Sequence, residues 1–149
     1  GQQIGGLGNK FGSFTEGMAY ESVKRILREK FKMEAVTPQY ELERNGEAEE
    51  YDILAYSNGK MNRGFIVEVK SQLDDDCVPQ LEQKMANLFR WLPEHRGKVF
   101  EAMVAYVSGP TSIKNRIRKK GWHLAHIGEE VFKLENAKGF KGTEYRYEG

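Results

Sequence analysis

The chain of 149 residues has 39% hydrophobic and 30% charged residues, a composition typical of one folded domain, which excludes a fully disordered chain. No apolar run approaches the roughly 20 residues needed to span a bilayer, and the single cysteine, Cys77, excludes an internal disulfide framework and a cysteine-based zinc site. These features and the lack of a signal-like start favour a cytoplasmic protein without a membrane partner, whereas the net charge of +1 says little about other partners.

The first half of the chain predicts a helix followed by three strands. Residues 1–12 are glycine-rich and are expected to be a flexible lead-in to a single domain at 13–149. Ser13 or Thr15 can cap a helix that runs to about Phe31. Pro38 implies an edge or a bulge in the first strand, because proline cannot donate to a ladder. The three strands are predicted at 35–44, 51–57 and 65–73.

The second half predicts two helices and further strands. A helix follows Asp74–Asp76 and continues to Pro93. The strand at 98–108 is apolar through its middle, so it is expected to lie in the centre of a sheet. A basic helix at 111–121 precedes short elements at 122–128 and 130–136. This order predicts an α/β protein with a mixed central sheet flanked by helices on both sides.

The strand "FIVEVKSQL" places charged residues in an apolar run. Since side chains alternate along a strand, one face carries Glu68, Lys70 and Gln72. The opposite face carries Phe65, Val67, Val69 and Ser71. A buried charge is costly unless it is paired or bound, so the polar face is either wet or functional.

Asp52 lies on the preceding strand, sixteen residues before Glu68, and hairpin pairing can bring the two carboxylates close. Neighbouring carboxylates repel unless a cation lies between them, and hard oxygen ligands suit Mg²⁺ or Mn²⁺. Lys70 is placed to orient or deprotonate a metal-bound water, or to neutralise charge in the transition state.

These residues resemble a known pattern. Asp52, fifteen residues, then Glu68-Val69-Lys70, on two consecutive strands after a helix, is similar to the motif of the PD-(D/E)xK nuclease superfamily. "VEVKS" is similar to the equivalent segment of archaeal Holliday-junction resolvases, and the chain from Ile4 onward resembles a family of bacterial proteins in this superfamily. Tyr51 stands where the superfamily name expects proline.

The resemblance implies a restriction-endonuclease-like αβββαβ core and a metal-dependent nuclease that hydrolyses phosphodiester bonds in nucleic acid, DNA rather than RNA. Mg²⁺ or Mn²⁺ would be the cofactor. In the bacterial family the domain often follows a coiled coil. Residues 1–12 would then be the end of a coiled coil, through which the protein would form a homo-oligomer.

The resemblance also implies roles for individual residues. Asp52 and Glu68 would ligate the metal, the carbonyl of Val69 would add a ligand, and Lys70 would position or activate the attacking water. Glu16, which borders the inward stripe of the first helix, is the candidate for a further ligand. The alternative for Glu16 is a first-turn glutamate that suits the helix dipole.

Three more side chains are candidates for the edges of this site. Gln72 faces the same way as Glu68 and can contact a phosphate or a water, and an exposed strand glutamine is the alternative. Gln80 and Lys84, one turn apart on the second helix, can flank the site from above.

The basic segment "KNRIRKK" is the candidate for binding a nucleic-acid backbone. A solvated helix end with cations that suit the dipole is the alternative. The candidate phosphate-binding residues are Lys114, Arg116, Arg118, Lys119 and Lys120.

The competing interpretation of the whole chain is a non-enzymatic module with a nuclease-like fold that binds nucleic acid or protein. Glu68 and Lys70 would then form a salt bridge on a wet sheet face. Elsewhere, Trp91 and Trp122 are expected in the core, and His95, which follows Pro93, is expected to be exposed.

Overall fold

A computed structural model of the protein describes residues 8–128 and 132–149, with side chains from residue 19 onward apart from that of residue 132. The elements are α1 (Gly8–Glu29), β1 (Ala35–Arg44), β2 (Glu47–Ser57), β3 (Arg63–Gln72), α2 (Cys77–Ala86), α3 (Leu88–Trp91), a 3₁₀ turn (Pro93–His95), β4 (Val99–Ser108), α4 (Thr111–Lys119), β5 (His123–Ile127) and β6 (Phe132–Leu134). Within the described ranges, none of the helices has the length and apolar character required to cross a membrane.

The six strands form one mixed sheet in the order β1-β2-β3-β4-β5-β6. Strands β3, β4 and β5 are parallel to one another, and the other neighbours pair antiparallel. The predicted mixed α/β class, with a mixed sheet flanked by helices, is confirmed. The expected central place of the apolar strand at 98–108 is also confirmed, because β4 has a neighbour on each side and a helical layer on each face.

Two apolar layers cover the sheet. On one face, α1 packs Val23 and Leu27 against Val67 and Val69 of β3, together with residues of β2, β4 and β5. On the other face, α2, α3 and α4 pack against Ile66 and its neighbours, and both tryptophans are buried there as expected. Strand β3 is therefore held on both faces, and the polar residues at its end have a fixed backbone beneath them.

The edge strand β1 is irregular at Pro38 and Gln39. Its ladder with β2 pairs Pro38 with Ile53 and Tyr40 with Tyr51, and the pair between them is missing. Gln39 has a φ of 51°, in the left-handed region. The sequence prediction of an edge strand at Pro38 is confirmed, and the irregularity lies across from Asp52.

Three element boundaries differ from the sequence prediction. Helix α1 begins at Gly8, five residues before Ser13, because each added helical residue gains a hydrogen bond even at positions of poor propensity. Strand β2 begins at Glu47 because the Asn45-Gly46 turn, with φ of 51° and 81°, extends the hairpin with β1 beyond the core. The second predicted helix divides at Asn87, before Pro93.

His95 is 7% exposed, so the prediction of an exposed loop histidine was wrong. Its ring lies 4.6 Å from that of Tyr56 and 5.9 Å from that of Phe100, centroid to centroid. The 3₁₀ turn folds the ring back onto the sheet. Burial and the nearby Lys98 ammonium lower the pKa of His95 below its usual 6.5.

A polar network joins the amino-terminal ends of the parallel strands on the α1 face. His123 Nε2 lies 2.7 Å from Glu101 Oε1, and Arg63 donates to Glu101 at 2.8 Å and to Glu144 at 3.0 Å. Burial disfavours the charged Glu101 carboxylate, but hydrogen bonds from His123 and Arg63 outweigh it and hold the pKa of Glu101 below its ordinary value. The network therefore ties the carboxyl-terminal segment at Glu144 to the sheet.

Candidate functional site

The candidate site lies where β2 and β3 separate. Their regular ladder ends at the pair Ile53–Val67. Beyond it, the main-chain N–H of Val69 donates to Asp52 Oδ2 at 2.8 Å. A side chain thus takes the place of the next strand partner, and this bond holds the carboxylate of Asp52 beside the Glu68-Val69 segment.

Glu68 lies on the α2 face of β3 and is 6% exposed. Its Oε2 lies 3.2 Å from the ammonium nitrogen of Lys84 on α2. The competing interpretation expected Glu68 to pair with Lys70 on a wet sheet face. Glu68 is instead buried beneath α2, and Lys84 of that helix is an ion-pair partner. The prediction that Lys84 flanks the site is confirmed.

Lys70 is half-buried at the same end of β3. Its ammonium donates to Oε1 of Gln80 on α2 at 3.4 Å, so the predicted flanking position of Gln80 is confirmed as well. Tyr106 is the partner of Lys70 across the β3–β4 ladder. Lys70 thus lies between α2 and β4 and keeps access to solvent.

Gln72 continues the polar face to the end of β3 and is exposed. Its Oε1 accepts a hydrogen bond of 2.6 Å from Ser108 Oγ at the end of β4. The amide therefore lies at the solvent boundary of the site, two residues beyond Lys70.

The start of β2 brings more acids to this region. Glu41 and Glu50 face each other across the β1–β2 ladder. The pKa of Glu50 is raised, mainly by burial. The charges of Asp52 and Glu41 and a hydrogen bond from the Glu41 side chain add to the rise, and the charge of Lys84 opposes it. Tyr51, between these acids and Asp52 in the sequence, is fully buried, and desolvation with the charges of Glu49 and Glu68 raises its pKa.

No group of three or more His, Cys, Asp or Glu side chains is placed to hold a metal ion within 19–128 and 133–149. The candidate ligand Glu16 lies outside the described side chains. Oxygen atoms near Glu68 surround the ammonium of Lys84. The ammonium of Lys84 contacts Glu68 Oε2 and donates a hydrogen bond to the Glu50 carbonyl oxygen. It also lies 3.9 Å from Glu49 Oε1. Oxygen atoms here converge on a positive charge, which is the donor chemistry that Mg²⁺ and Mn²⁺ prefer.

Four of the predicted basic residues lie in helix α4 and Lys120 directly follows it, and among the residues that the structure describes, acids from neighbouring elements contact two of the five. Arg116 lies 3.5 Å from Asp75, Lys120 pairs with Glu82, and Arg118 donates to the Asn115 side chain and the Glu135 carbonyl. Lys119 has no hydrogen-bond or ion-pair partner among the side chains that the structure describes.

Lys114 is the basic residue of α4 that connects it to the site. Its ammonium lies 5.1 Å from the ring centroid of Tyr106, the strand partner of Lys70. The five predicted cations are therefore not equivalent, and Lys114 has the most direct structural link to the polar end of β3.

Sequence reasoning did not find the contacts of the Glu50 carbonyl and of Glu49 with Lys84. It also did not find the hydrogen bond between Glu101 and His123. The first depends on the packing of α2 over β2, which no local pattern encodes. For the second there was a signal, because Glu101 is the one acid in the apolar strand "VFEAMVAYV".

Comparison of the chain with protein-family models, with curated proteins and with solved structures gave no match.

Proposed function

We propose that the protein is a metal-dependent phosphodiesterase that hydrolyses nucleic acid, with DNA as the favoured substrate. The observation that carries the proposal is the hydrogen bond from the Val69 N–H to Asp52, which holds a buried carboxylate against the residue that lies between Glu68 and Lys70 in β3. The resemblance of Asp52, Glu68 and Lys70 to the PD-(D/E)xK motif supports the same conclusion.

The order of the described elements adds support. A helix, three antiparallel strands, a helical segment and a strand parallel to β3 follow one another along the chain. That is the order expected of the αβββαβ core of this superfamily, and the proposed fold is restriction-endonuclease-like.

Asp52 and Glu68 would hold the metal. The carbonyl of Val69 would add a ligand, because the N–H and C=O of one extended residue point to the same side and its N–H points to Asp52. Glu16 is the further candidate ligand. When bound, Mg²⁺ would neutralise charge on the scissile phosphate and acidify a coordinated water.

Side chains of the protein would position the water, stabilise charge and bind the substrate. The ammonium of Lys70, held near Gln80, would orient the attacking water and offset the negative charge that develops on the phosphate. Gln72 would contact the substrate at the solvent boundary. Lys114 and the other cations of α4, Arg116, Arg118, Lys119 and Lys120, would bind the phosphate backbone, largely without regard to sequence.

Cleavage assays test this proposal. Linear, circular and branched DNA, and RNA, would be incubated with the protein and Mg²⁺ or Mn²⁺. Wild type would be compared with Lys70→Ala and Asp52→Asn, and with Lys60→Ala as a matched control, since Lys60 is exposed and precedes β3 at its opposite end. We expect Lys70→Ala to lose about 100-fold or more of the rate and Lys60→Ala to lose none. Cleavage that survives both site substitutions would overturn the mechanism.

A second candidate is a non-enzymatic nuclease-fold module that binds nucleic acid or protein. The ion pair of Glu68 with Lys84 favours it, because Glu68 then already has an internal counter-charge. In that case Mn²⁺ would not bind, and the site substitutions would alter neither cleavage nor metal binding.

A further inference from the structure

Lys84 is a cation enclosed by oxygen atoms from two strands. Its ammonium contacts the carboxylate of Glu68 on β3 and donates to the carbonyl oxygen of Glu50 on β2, with Glu49 nearby. The Lys84 side chain is 20% exposed and that of Glu68 is 8% exposed. The contact is therefore a largely desolvated one, unlike a surface ion pair.

A buried carboxylate requires a positive neighbour, because the cost of desolvating it alone is several kcal/mol. In the described structure the Lys84 ammonium fills this need for Glu68. A divalent cation bound to the same carboxylate would meet the same need and would repel the ammonium at ligand distances. The two cations are thus alternatives at Glu68.

We propose that Lys84 is the resident counter-ion of the metal site, and that a divalent cation binds by displacing the Lys84 ammonium from Glu68. This inference rests on the proposed function, since it assumes that Asp52 and Glu68 take a metal. Binding is then an exchange of one cation for another, and the buried carboxylate is never left without a positive charge.

The space beside Lys84 accommodates the displaced side chain. A groove of about 660 Å³ between α2 and the start of β2 is lined by Lys84 itself and by Gln80, Gln83 and Asn87. These amide side chains offer acceptors to an ammonium that has left Glu68. Four rotatable bonds let the lysine reach them without movement of the helix backbone.

Metal affinity tests the exchange directly. Mn²⁺ would be titrated by calorimetry into wild type, Lys84→Gln and Lys84→Arg. We expect Lys84→Gln to bind Mn²⁺ about tenfold more tightly or better, because no ammonium competes for a charge-assisted bond to Glu68. Lys84→Arg keeps the positive charge, so its affinity should not exceed that of wild type.

Thermal unfolding provides an independent readout and shows whether each variant folds. Without metal, Lys84→Gln should melt below wild type, because the ion pair between Lys84 and Glu68 is lost. Saturating Mn²⁺ should raise the melting temperature of Lys84→Gln more than that of wild type.

The outcomes separate the inference from the proposed function. If wild type binds Mn²⁺ and Lys84→Gln binds it equally or more weakly, the exchange is wrong and the metal site stands. If neither protein binds Mn²⁺, or if Asp52→Asn binds it as wild type does, both the exchange and the proposed metal site are wrong.

Discussion

The carboxylate of Asp52 accepts the main-chain hydrogen bond of Val69, at the point where β2 and β3 stop pairing. A backbone donor that would otherwise bond to a strand is satisfied by a side chain. Asp52 therefore has a structural task that is separate from any role as a ligand, and the two roles can be tested separately.

Asp52→Ala should lower the free energy of unfolding by about 1–3 kcal/mol, because the buried N–H of Val69 loses its acceptor. Asp52→Asn keeps an acceptor oxygen, so it should lower the free energy of unfolding clearly less than Asp52→Ala does. It also removes the negative charge that a metal requires. Urea denaturation measures both changes. Equal losses for Ala and Asn would show that the carboxylate charge, and not the bond to Val69, stabilises this part of the fold.

The stability of the protein should fall as the pH drops below about 6.5, the usual pKa of histidine, because of His95. Burial and Lys98 lower its pKa from 6.5 in the folded state. The unfolded chain then binds the proton more readily, so the stabilising contribution is present above the unfolded pKa and is lost as pH falls through the folded pKa. Denaturation at a series of pH values should show this slope in wild type.

His95→Gln removes the titrating ring and should flatten the slope in that pH range. His126→Gln is the matched control, because the His126 ring is only partly buried and hydrogen-bonds to the Val107 carbonyl. A slope that flattens more in His95→Gln than in His126→Gln would assign the pH dependence to the buried ring. An unchanged slope in His95→Gln would assign the acid sensitivity to another group.

Gly142→Ala should destabilise the protein by about 1–3 kcal/mol, as overpacking of a filled interior does. A Cβ there would lie 2.1 Å from Glu101 Oε1 and 2.6 Å from His123 Nε2. Both atoms are held by their mutual hydrogen bond, so neither moves away freely. Gly97→Ala, where a Cβ meets nothing within 4 Å, is the control. Thermal melting compares the two, and similar melting temperatures would mean that the segment at Gly142 shifts without cost.

Lys114→Gln should weaken nucleic-acid binding and reduce its salt dependence. If Lys114 contacts one phosphate, the slope of log K against log salt concentration should become shallower by about 0.9 for a DNA duplex. Fluorescence anisotropy at several salt concentrations measures it, with Lys60→Gln expected to match wild type. If the salt-dependence slope does not change, the phosphate backbone of the nucleic acid does not contact Lys114.

The sequence-based prediction succeeded where one strand or helix determines the outcome. Period two places Glu68 and Lys70 on one face of β3, and helical spacing places Gln80 and Lys84 one turn apart on one face of α2. Both arrangements follow from backbone geometry alone. The prediction of Pro38 on an edge strand succeeded for the same reason, since it needs only the missing N–H.

The prediction was incomplete where distant segments meet. The ring of His95 is buried because Tyr56 and Phe100 lie opposite it, and those residues are far from it in the chain. The ion pair of Lys84 with Glu68 depends on how α2 lies across the sheet. Such contacts are set by the packing of whole elements, which propensity and periodicity do not describe.

The network of Arg63, Glu101 and His123 anchors the amino-terminal ends of the parallel strands, while Glu68 and Lys70 stand at the carboxyl end of β3. The amino-terminal end of β3 is held by this network and both of its faces are packed, so the backbone that carries Glu68 and Lys70 is held in place. A ligand that arrives at the open end therefore meets a preorganised surface, and little conformational entropy is lost in the backbone when it binds.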